Sequence, residues 1–189
     1  MTGGAAGGMA GSASGGGGAA PPAPGELGIV ELLINPAGTD TGREWLELVN
    51  RTTHALALDG LSIADAANEA AVEFPLGAAV LPAGARAVLV QSGDPTKNGG
   101  VTSATAAVVG VFGTLVSLNN EADTITVCAG SCAAGGAVLS RISWDATLGS
   151  GYDGHALIID DSGQRCPATA TFGDGGSFGT PGAPGGSCP

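Results

Sequence analysis

The apolar residues of this chain fall into short runs, and glycine, proline, asparagine or aspartate separates each run from the next. Nine runs have the length and composition of β-strands: residues 28–35, 44–50, 55–64, 72–76, 87–91, 106–118, 124–128, 138–144 and 155–160. An alternation of strands and helices would require helical stretches of about 10 to 15 residues. The best candidate for a helix, residues 65–71 (DAANEAA), is predicted to be a loop. The pattern therefore predicts an all-β sandwich of about nine short strands.

The run 44–50 (EWLELVN) alternates most clearly. Trp45, Glu47 and Val49 share one face of this predicted strand, and Leu46 and Leu48 lie on the other. A buried indole supplies more apolar area than any other side chain here, so Trp45 is the predicted anchor of the core. Glu47 shares the face of Trp45 and therefore needs a partner or an edge position.

Residues 1–25 contain no charged side chain and consist mainly of Gly, Ala, Ser and Pro. Such a segment cannot bury enough apolar surface to offset its conformational entropy. We predict a flexible linker that spaces a domain from an anchor, with a disordered start of no consequence as the alternative. Residues 26–189 are predicted to form one domain, because a chain of this length buries a single core.

The chain carries 6 Lys and Arg against 17 Asp and Glu, a net charge of −11. The basic residues are scattered, so no basic face is available to neutralise phosphates or anionic lipid headgroups. Nucleic-acid binding is therefore excluded. No stretch approaches the roughly 20 apolar residues of a membrane span, and the first residues do not resemble a signal peptide. We expect no direct membrane insertion and a monomeric protein.

The four cysteines are Cys128, Cys132, Cys166 and Cys188. Four cysteines allow three pairings. Cys128 and Cys132 lie where a strand ends and a loop begins, so a local bridge is easy to close, and Cys166 would then pair with Cys188. A zinc site needs two close pairs of ligands, which the wide spacing of Cys166 and Cys188 does not provide. Disulfides are favoured over free thiols or zinc, and they imply an oxidising compartment.

Six segments, in order, resemble the lamin-tail (immunoglobulin-like) domain of nuclear lamins and of many exported bacterial proteins. They are residues 29–36, 44–52 (EWLELVNRT), 58–65 (LDGLSIAD) with 74–75, 81–84 (LPAG), 118–125 (LNNEADTI) and 179–184 (GTPGAP). The resemblance covers residues 26–189 and is most specific in the second segment. It implies an immunoglobulin-like sandwich of the bacterial exported type, located in the cell envelope or outside the cell.

Scaffold roles are predicted for Trp45, Glu47, Asn50, Gly60, Pro82, Gly84, Asn119, Asp123 and Pro181. Asn50 ends a strand and can bond nearby backbone through its amide. Pro82 suits the second position of a type I or II turn, and Gly84 offers a positive φ. Asn119 and Asp123 bracket a loop between paired strands. No functional residue is carried over from the family.

Residues 175–179 (GGSFG) match the G-x-S-x-G pattern of serine hydrolases. That pattern works only between a strand and a helix, with an acid and a histidine following in the chain. The residues after Ser177 cannot form a helix, and no histidine follows. The match is therefore attributed to the high glycine content.

Other candidates for chemistry are also weak. Glu44 and Glu47 are three positions apart, which places them on opposite faces of a strand rather than in one cleft. Asp160 and Asp161 could ligate calcium, but a solvated turn is favoured. His54 and His155 have no companion ligands nearby. We therefore predict no catalytic residue, no metal and no cofactor.

The sequence thus predicts a non-catalytic binding or tethering module whose partner is an envelope protein or polysaccharide. Exposed strand edges, or the loops at one end of the sandwich, are the expected contact surface. A small secreted hydrolase using Ser177 or a calcium-assisted site is one alternative. A purely structural spacer is another.

Overall fold

The structure is a computed structural model that describes residues 18–65, 72–73, 79–173 and 176–189. The strands are β1 (Leu27–Leu33), β2 (Trp45–Asn50), β3 (Leu56–Ala57), β4 (Leu61–Asp65), β5 (Val72–Glu73), β6 (Val80–Leu81), β7 (Arg86–Val90), β8 (Val108–Val111), β9 (Asp123–Ala129), β10 (Ala137–Trp144), β11 (Leu157–Ile159) and β12 (Arg165–Pro167). One 3-10 helix, Ser150–Tyr152, precedes β11. Within the described residues, no helix has the length and apolar character that crossing a membrane requires. The all-β prediction is confirmed.

Two main sheets form a sandwich. The larger sheet has the strand order β12-β11-β1-β2-β7-β8, and the smaller has the order β10-β9-β4-β5. Strands β3 and β6 form a separate two-stranded sheet. Neighbouring strands are antiparallel except for β7 and β8, which run parallel. This arrangement agrees with the predicted immunoglobulin-like sandwich.

The main core lies between the two sheets and consists mostly of aliphatic side chains. Leu46 and Leu48 point into it from the larger sheet, and Ile125 and Val127 meet them from the smaller one. Phe112 also belongs to this core. The alternation predicted for β2 is therefore correct, since its two leucines share the inner face.

The outer face of the larger sheet carries a second, smaller core. Trp45 is 0 % exposed there and packs with Val88, Val90 and Ala168. Residues 168–189, which we call the closing segment, run across this face. Trp45 is thus an anchor as predicted, but it anchors the outer core and does not lie between the sheets.

Several strands differ from the predicted runs. The run 55–64 divides into β3 and β4, because Asp59 and Gly60 form a turn in which Gly60 has a φ of 72°. The run 106–118 yields only β8. Val116 and Leu118, which follow β8, enter the main core from irregular backbone, so their apolar character does not reflect a strand. The short strands β6 and β12 were not predicted.

The N-terminal boundary is described only in part. Residues 1–17 lie outside the described residues, as do 66–71 of the predicted loop and 74–76 of one predicted strand. Ala20 forms a bridge to Leu56, and the N–H of Gly25 donates to the carbonyl of Leu139 at 3.2 Å. Ala20 and Gly25, within the segment predicted as linker, therefore contact the domain. The division into 1–25 and 26–189 stays a prediction.

Candidate functional site

The closing segment is held to the sheet by two buried carboxylates. Glu31 accepts the backbone N–H of Thr180 at 2.8 Å and its hydroxyl at 2.6 Å. Glu47 accepts the backbone N–H of Gly182 and also pairs with Arg86. The predicted need of Glu47 for a partner is thus met by a cation on the neighbouring strand. These contacts hold residues 179–184 against the larger sheet.

Glu31 and Glu47 lie opposite each other on adjacent strands, and both side chains are 0 % exposed. Burial raises the pKa of Glu31 to about 7, and the Thr180 donors oppose the rise. Burial also raises the pKa of Glu47, against the opposing effects of Arg86 and Gly182. Sequence reasoning missed Glu31. The feature that could have indicated its role is a carboxylate in the middle of an otherwise apolar strand.

Gly179 occupies a space in which any larger residue would have to displace the neighbouring side chains. A Cβ at this position would lie 2.8 Å from Cζ2 of Trp45 and 3.3 Å from Oε1 of Glu31. Phe172 completes the contact, with its ring edge-on to Trp45 at a centroid distance of 5.7 Å. The outer core and the carboxylate contacts therefore meet at this glycine.

Glu44 belongs to a different part of the molecule. Its Oε2 accepts the backbone N–H of Leu118 and the amide N–H of Gln91, both at 3.2 Å. Burial raises the pKa of Glu44 to about 8, with Asp40 and Asp123 adding to the rise. Glu44 and Glu47 therefore have separate hydrogen-bond partners.

Asn50 connects three backbone segments. Its Nδ2 donates to the carbonyls of His54, Leu81 and Pro82 at 2.8 to 2.9 Å, and its Oδ1 accepts two bonds from Thr52. Residues 50–52 (NRT) have the Asn-X-Thr pattern of a glycosylation site. The Asn50 side chain is 0 % exposed, so this pattern is inaccessible in the folded chain.

The turn after β6 differs from the prediction in one detail. The N–H of Ala85 donates to the carbonyl of Pro82 at 3.0 Å, which places Pro82 first in the turn rather than second. Gly84 is then third, and its φ of 69° supplies the predicted positive value. The bond from Asn50 to the Pro82 carbonyl fixes the proline at the start of the turn.

The loop between Asn119 and Asp123 is closed by its own ends. The N–H of Asn119 donates to Asp123 Oδ2 at 3.1 Å, and Asn119 Oδ1 accepts the N–H of Glu121 at 2.9 Å. The indole N–H of Trp144 donates to the carbonyl of Asn119 at 2.7 Å. The loop leads into β9 from irregular backbone, so it does not join two paired strands as the sequence predicted.

Both disulfides are present, in the pairs that the sequence favoured. Cys128 is bonded to Cys132 next to the end of β9, and Cys166 is bonded to Cys188. The second bridge fastens the end of the closing segment to β12. Two disulfides indicate an oxidising compartment outside the cytosol.

Residues 20–146 match the family model described as Lamin Tail Domain. The chain belongs to this family. No curated protein matches the chain. The match includes Glu31 and Glu47 but ends before the closing segment. The hydrogen bonds of these two carboxylates to Thr180 and Gly182 therefore join the matched part to residues beyond it. The predicted resemblance is confirmed, and the bacterial exported type stays a prediction.

In this lamin tail domain Ser177 has a structural position. Its side chain is 5 % exposed, and its hydroxyl accepts the backbone N–H of Ala37 at 3.0 Å. His155 stacks on Phe178 at 4.3 Å, while its Nδ1 lies 2.7 Å from the carbonyl of Ala168. The contacts of Ser177 and His155 thus join the closing segment to the rest of the domain.

The calcium candidates lie in the turn between β11 and β12. Asp160 Oδ1 accepts the N–H and the hydroxyl of Ser162 and the N–H of Gln164, and Oδ2 accepts the N–H of Cys188 at 3.2 Å. These bonds, led by that from the Ser162 hydroxyl, lower the pKa of Asp160. The carboxylate therefore closes its own turn and contacts the backbone of Cys188. Within the described part of the chain, no group of three or more His, Cys, Asp or Glu side chains could hold a metal.

The outer face of the smaller sheet presents an open groove of about 520 Å³ beside the Cys128–Cys132 bridge. We call it the disulfide groove; its lining includes Thr124, Thr126 and Arg141. Arg141 Nε donates to the hydroxyl of Thr126 at 3.0 Å, and Thr124 is hydrogen-bonded to Ser143 at 2.8 Å. The groove therefore presents the exposed guanidinium of Arg141 and the half-buried Thr124 on a support of paired strands.

Proposed function

We propose that this lamin tail domain is a non-catalytic binding or tethering module of the cell envelope or extracellular space. The proposal rests on the hydrogen bonds of the side chains that could otherwise carry out a reaction. Glu31, Glu47, Ser177 and Asp160 each accept hydrogen bonds from other residues of the same chain. A catalytic group needs access to substrate, and three of these four side chains are at most 5 % exposed.

The envelope location rests on the disulfides. The direct test is a thiol count by intact mass, after alkylation in denaturant, on protein isolated from its native source. We expect no alkylated cysteine. Four alkylated cysteines would refute the location and make an intracellular scaffold the better interpretation.

The disulfide groove is the contact surface that we propose for the partner. It combines exposed polar groups with a floor of paired strands, and the Cys128–Cys132 bridge stiffens one wall. Arg141 is the only basic residue among those that line it. A partner with hydroxyl, carbonyl or carboxylate oxygens suits this surface, which is compatible with an envelope polysaccharide or protein.

Binding can be tested on two separate probes, the insoluble polysaccharide of the envelope and its detergent-solubilised proteins. We expect saturable binding of the full chain to one probe. Arg141→Ala should weaken it roughly tenfold, because a hydrogen bond to a charged group contributes about 1.5–3 kcal/mol. The control is Lys97→Ala, which removes the same charge from a loop outside the groove. Equal loss in both variants would argue against the groove.

The alternatives have distinct outcomes. Esterase activity of the purified chain that Ser177→Ala abolishes, or nuclease activity that a chelator abolishes, would revive the hydrolase. The absence of saturable binding to either probe would leave the structural spacer as the better interpretation.

A further inference from the structure

Two arginines from different sheets reach the same stretch of strand β10. Arg141 belongs to β10 itself, and its Nε donates to the hydroxyl of Thr126 at 3.0 Å. Arg165 belongs to β12 of the larger sheet, and its Nη1 donates to the carbonyl of Ser143 at 2.8 Å. Arg141 and Ser143 are two positions apart on β10, so their side chains share one face of the strand at a spacing of about 7 Å. The fold thus brings together two of the six basic residues of the chain.

These two guanidinium groups have no acidic partner in the described part of the chain. Arg86 pairs with Glu47, but neither Arg141 nor Arg165 forms an ion pair with a described carboxylate. Both residues are exposed. Each hydrogen bond to Thr126 or to Ser143 uses one guanidinium nitrogen, so the remaining N–H groups can donate to an external acceptor. A group that is already held in place also loses less conformational freedom when it binds.

Hydroxyl groups accompany the two arginines. Ser143 is exposed, and its Oγ lies 2.8 Å from Oγ1 of Thr124. The disulfide groove continues on the side of Arg141, and no aromatic side chain is among the described residues that line it. The hot spots of protein interfaces usually include Trp or Tyr as well as Arg. A surface of guanidinium and hydroxyl groups suits a partner that itself consists of hydroxyl and acidic groups, as an acidic polysaccharide does.

We propose that Arg141 and Arg165 together bind the acidic groups of a polysaccharide at the place where β12 reaches β10. This inference rests on the proposed function and specifies the partner of that surface. Carboxylates and phosphates both accept two parallel hydrogen bonds from a guanidinium group. Sugar acids and phosphate-linked sugars therefore share the required chemistry. The hydroxyl of Ser143 lies beside the bound acid and is available to the sugar hydroxyls.

The net charge of −11 limits the kind of polysaccharide that can bind. The chain as a whole repels anions, and this repulsion acts over about 10 Å at about 0.1 M salt. A polymer with densely spaced charges is therefore disfavoured, and a polymer whose acidic groups are separated by neutral sugars is preferred. Two guanidinium groups are also far fewer than the basic face that nucleic acid requires.

The test is calorimetric titration of the full chain, with its disulfides intact, with trigalacturonate and with the methyl ester of trigalacturonate. The ester has the same sugar chain without the charge, so we expect only the acid to bind, and to bind less tightly as salt increases. Arg141→Gln and Arg165→Gln should each raise the dissociation constant roughly tenfold, because hydrogen bonds to charged groups are the stronger ones. The matched control is Lys97→Gln, which removes a charge from the loop between β7 and β8, at the opposite edge of the larger sheet from β12. It should bind as the parent chain does.

A second comparison separates charge from packing. Arg165→Lys keeps the charge, so it should bind trigalacturonate more tightly than Arg165→Gln does, with equal unfolding midpoints in the two variants. A glycerol phosphate trimer that binds more tightly than trigalacturonate would identify phosphate as the acidic group and would support the same site.

Three results would overturn the inference. The first is equal binding of the acid and its ester, or of neither, together with no binding of the phosphate trimer. The second is an equal loss of affinity in Lys97→Gln and in both arginine variants. The third is tighter binding of triglutamate than of trigalacturonate, which would indicate an acidic protein. In each case the proposed binding function keeps its own test on the envelope proteins.

Discussion

Thr180 donates both its backbone N–H and its hydroxyl to the carboxylate of Glu31, across 149 positions of the chain. One partner lies in the first strand and the other lies beyond the part that matches the family. The polar contacts of the outer face therefore depend on residues from both ends of the domain.

The first prediction concerns pH. Burial raises the pKa of Glu31 from 4.5 to about 7, so its contribution to stability is fully present below pH 4.5 and is lost as pH rises through 7. The difference corresponds to about 3 kcal/mol of unfolding free energy. We expect Glu31→Gln to lose much less stability than the parent chain between about pH 4.5 and about pH 8, because it does not ionise.

Urea denaturation at the two pH values, with the disulfides intact, measures this difference. Glu121→Gln, at an exposed position, serves as the control and should follow the parent chain. The Glu31→Gln variant should still lose some stability over this range through Glu44, whose pKa is raised to about 8 by burial. Parallel pH dependences of Glu31→Gln and the parent chain would contradict the assignment.

The second prediction concerns Gly179. An added Cβ would lie 2.8 Å from Cζ2 of Trp45, so Gly179→Ala should destabilise the fold by about 1–3 kcal/mol through overpacking. Gly18→Ala is the control, since no atom lies within 4 Å of its added Cβ. Denaturation midpoints of the two variants give the comparison. An unchanged midpoint for Gly179→Ala would mean that the closing segment packs less tightly against Trp45.

The third prediction concerns Asn50. Asn50→Ala leaves the carbonyls of His54, Leu81 and Pro82 without this donor, and we expect a loss of about 3 kcal/mol or more. Thr52→Val removes a hydroxyl that serves the same turn and should cost roughly 1 kcal/mol. Urea denaturation of both variants gives the two unfolding free energies, and Asn50→Ala should have the lower one. Equal losses would show that the amide of Asn50 has no special role.

The fourth prediction ranks the disulfides. Replacing Cys166 and Cys188 by Ala should cost about 3 kcal/mol, and replacing Cys128 and Cys132 about 2 kcal/mol, because the first bridge closes the longer loop. Thermal unfolding measures the ranking. Limited proteolysis should cut the closing segment faster only in the Cys166/Cys188 variant. Equal cutting in both variants would refute the fastening role of that bridge.

The sequence predicted the features that arise from neighbouring residues. The alternation in β2 placed Leu46 and Leu48 together on the face opposite Trp45 and showed that Glu47 would need a partner, but it did not show which face lies between the sheets. Arg86 and Gly182, which meet that need, are 39 and 135 positions away, and no local pattern indicates such contacts. The run 106–118 was predicted to be a strand over its whole length, and this was wrong. Apolar residues on irregular backbone fill a core as well as those on a strand do, so composition alone does not separate the two.

The covering of the outer face has a consequence for newly made molecules. Synthesis proceeds from the N-terminus, so the residues that close this face leave the ribosome after the strands that they cover. A chain that stops before residue 168 has Trp45, Val88 and Val90 in place but lacks the closing segment over them. Chaperones and proteases continuously remove molecules that fail to fold. The domain therefore hides this apolar surface only after residues 168–189 have been made, well after the strands that form it.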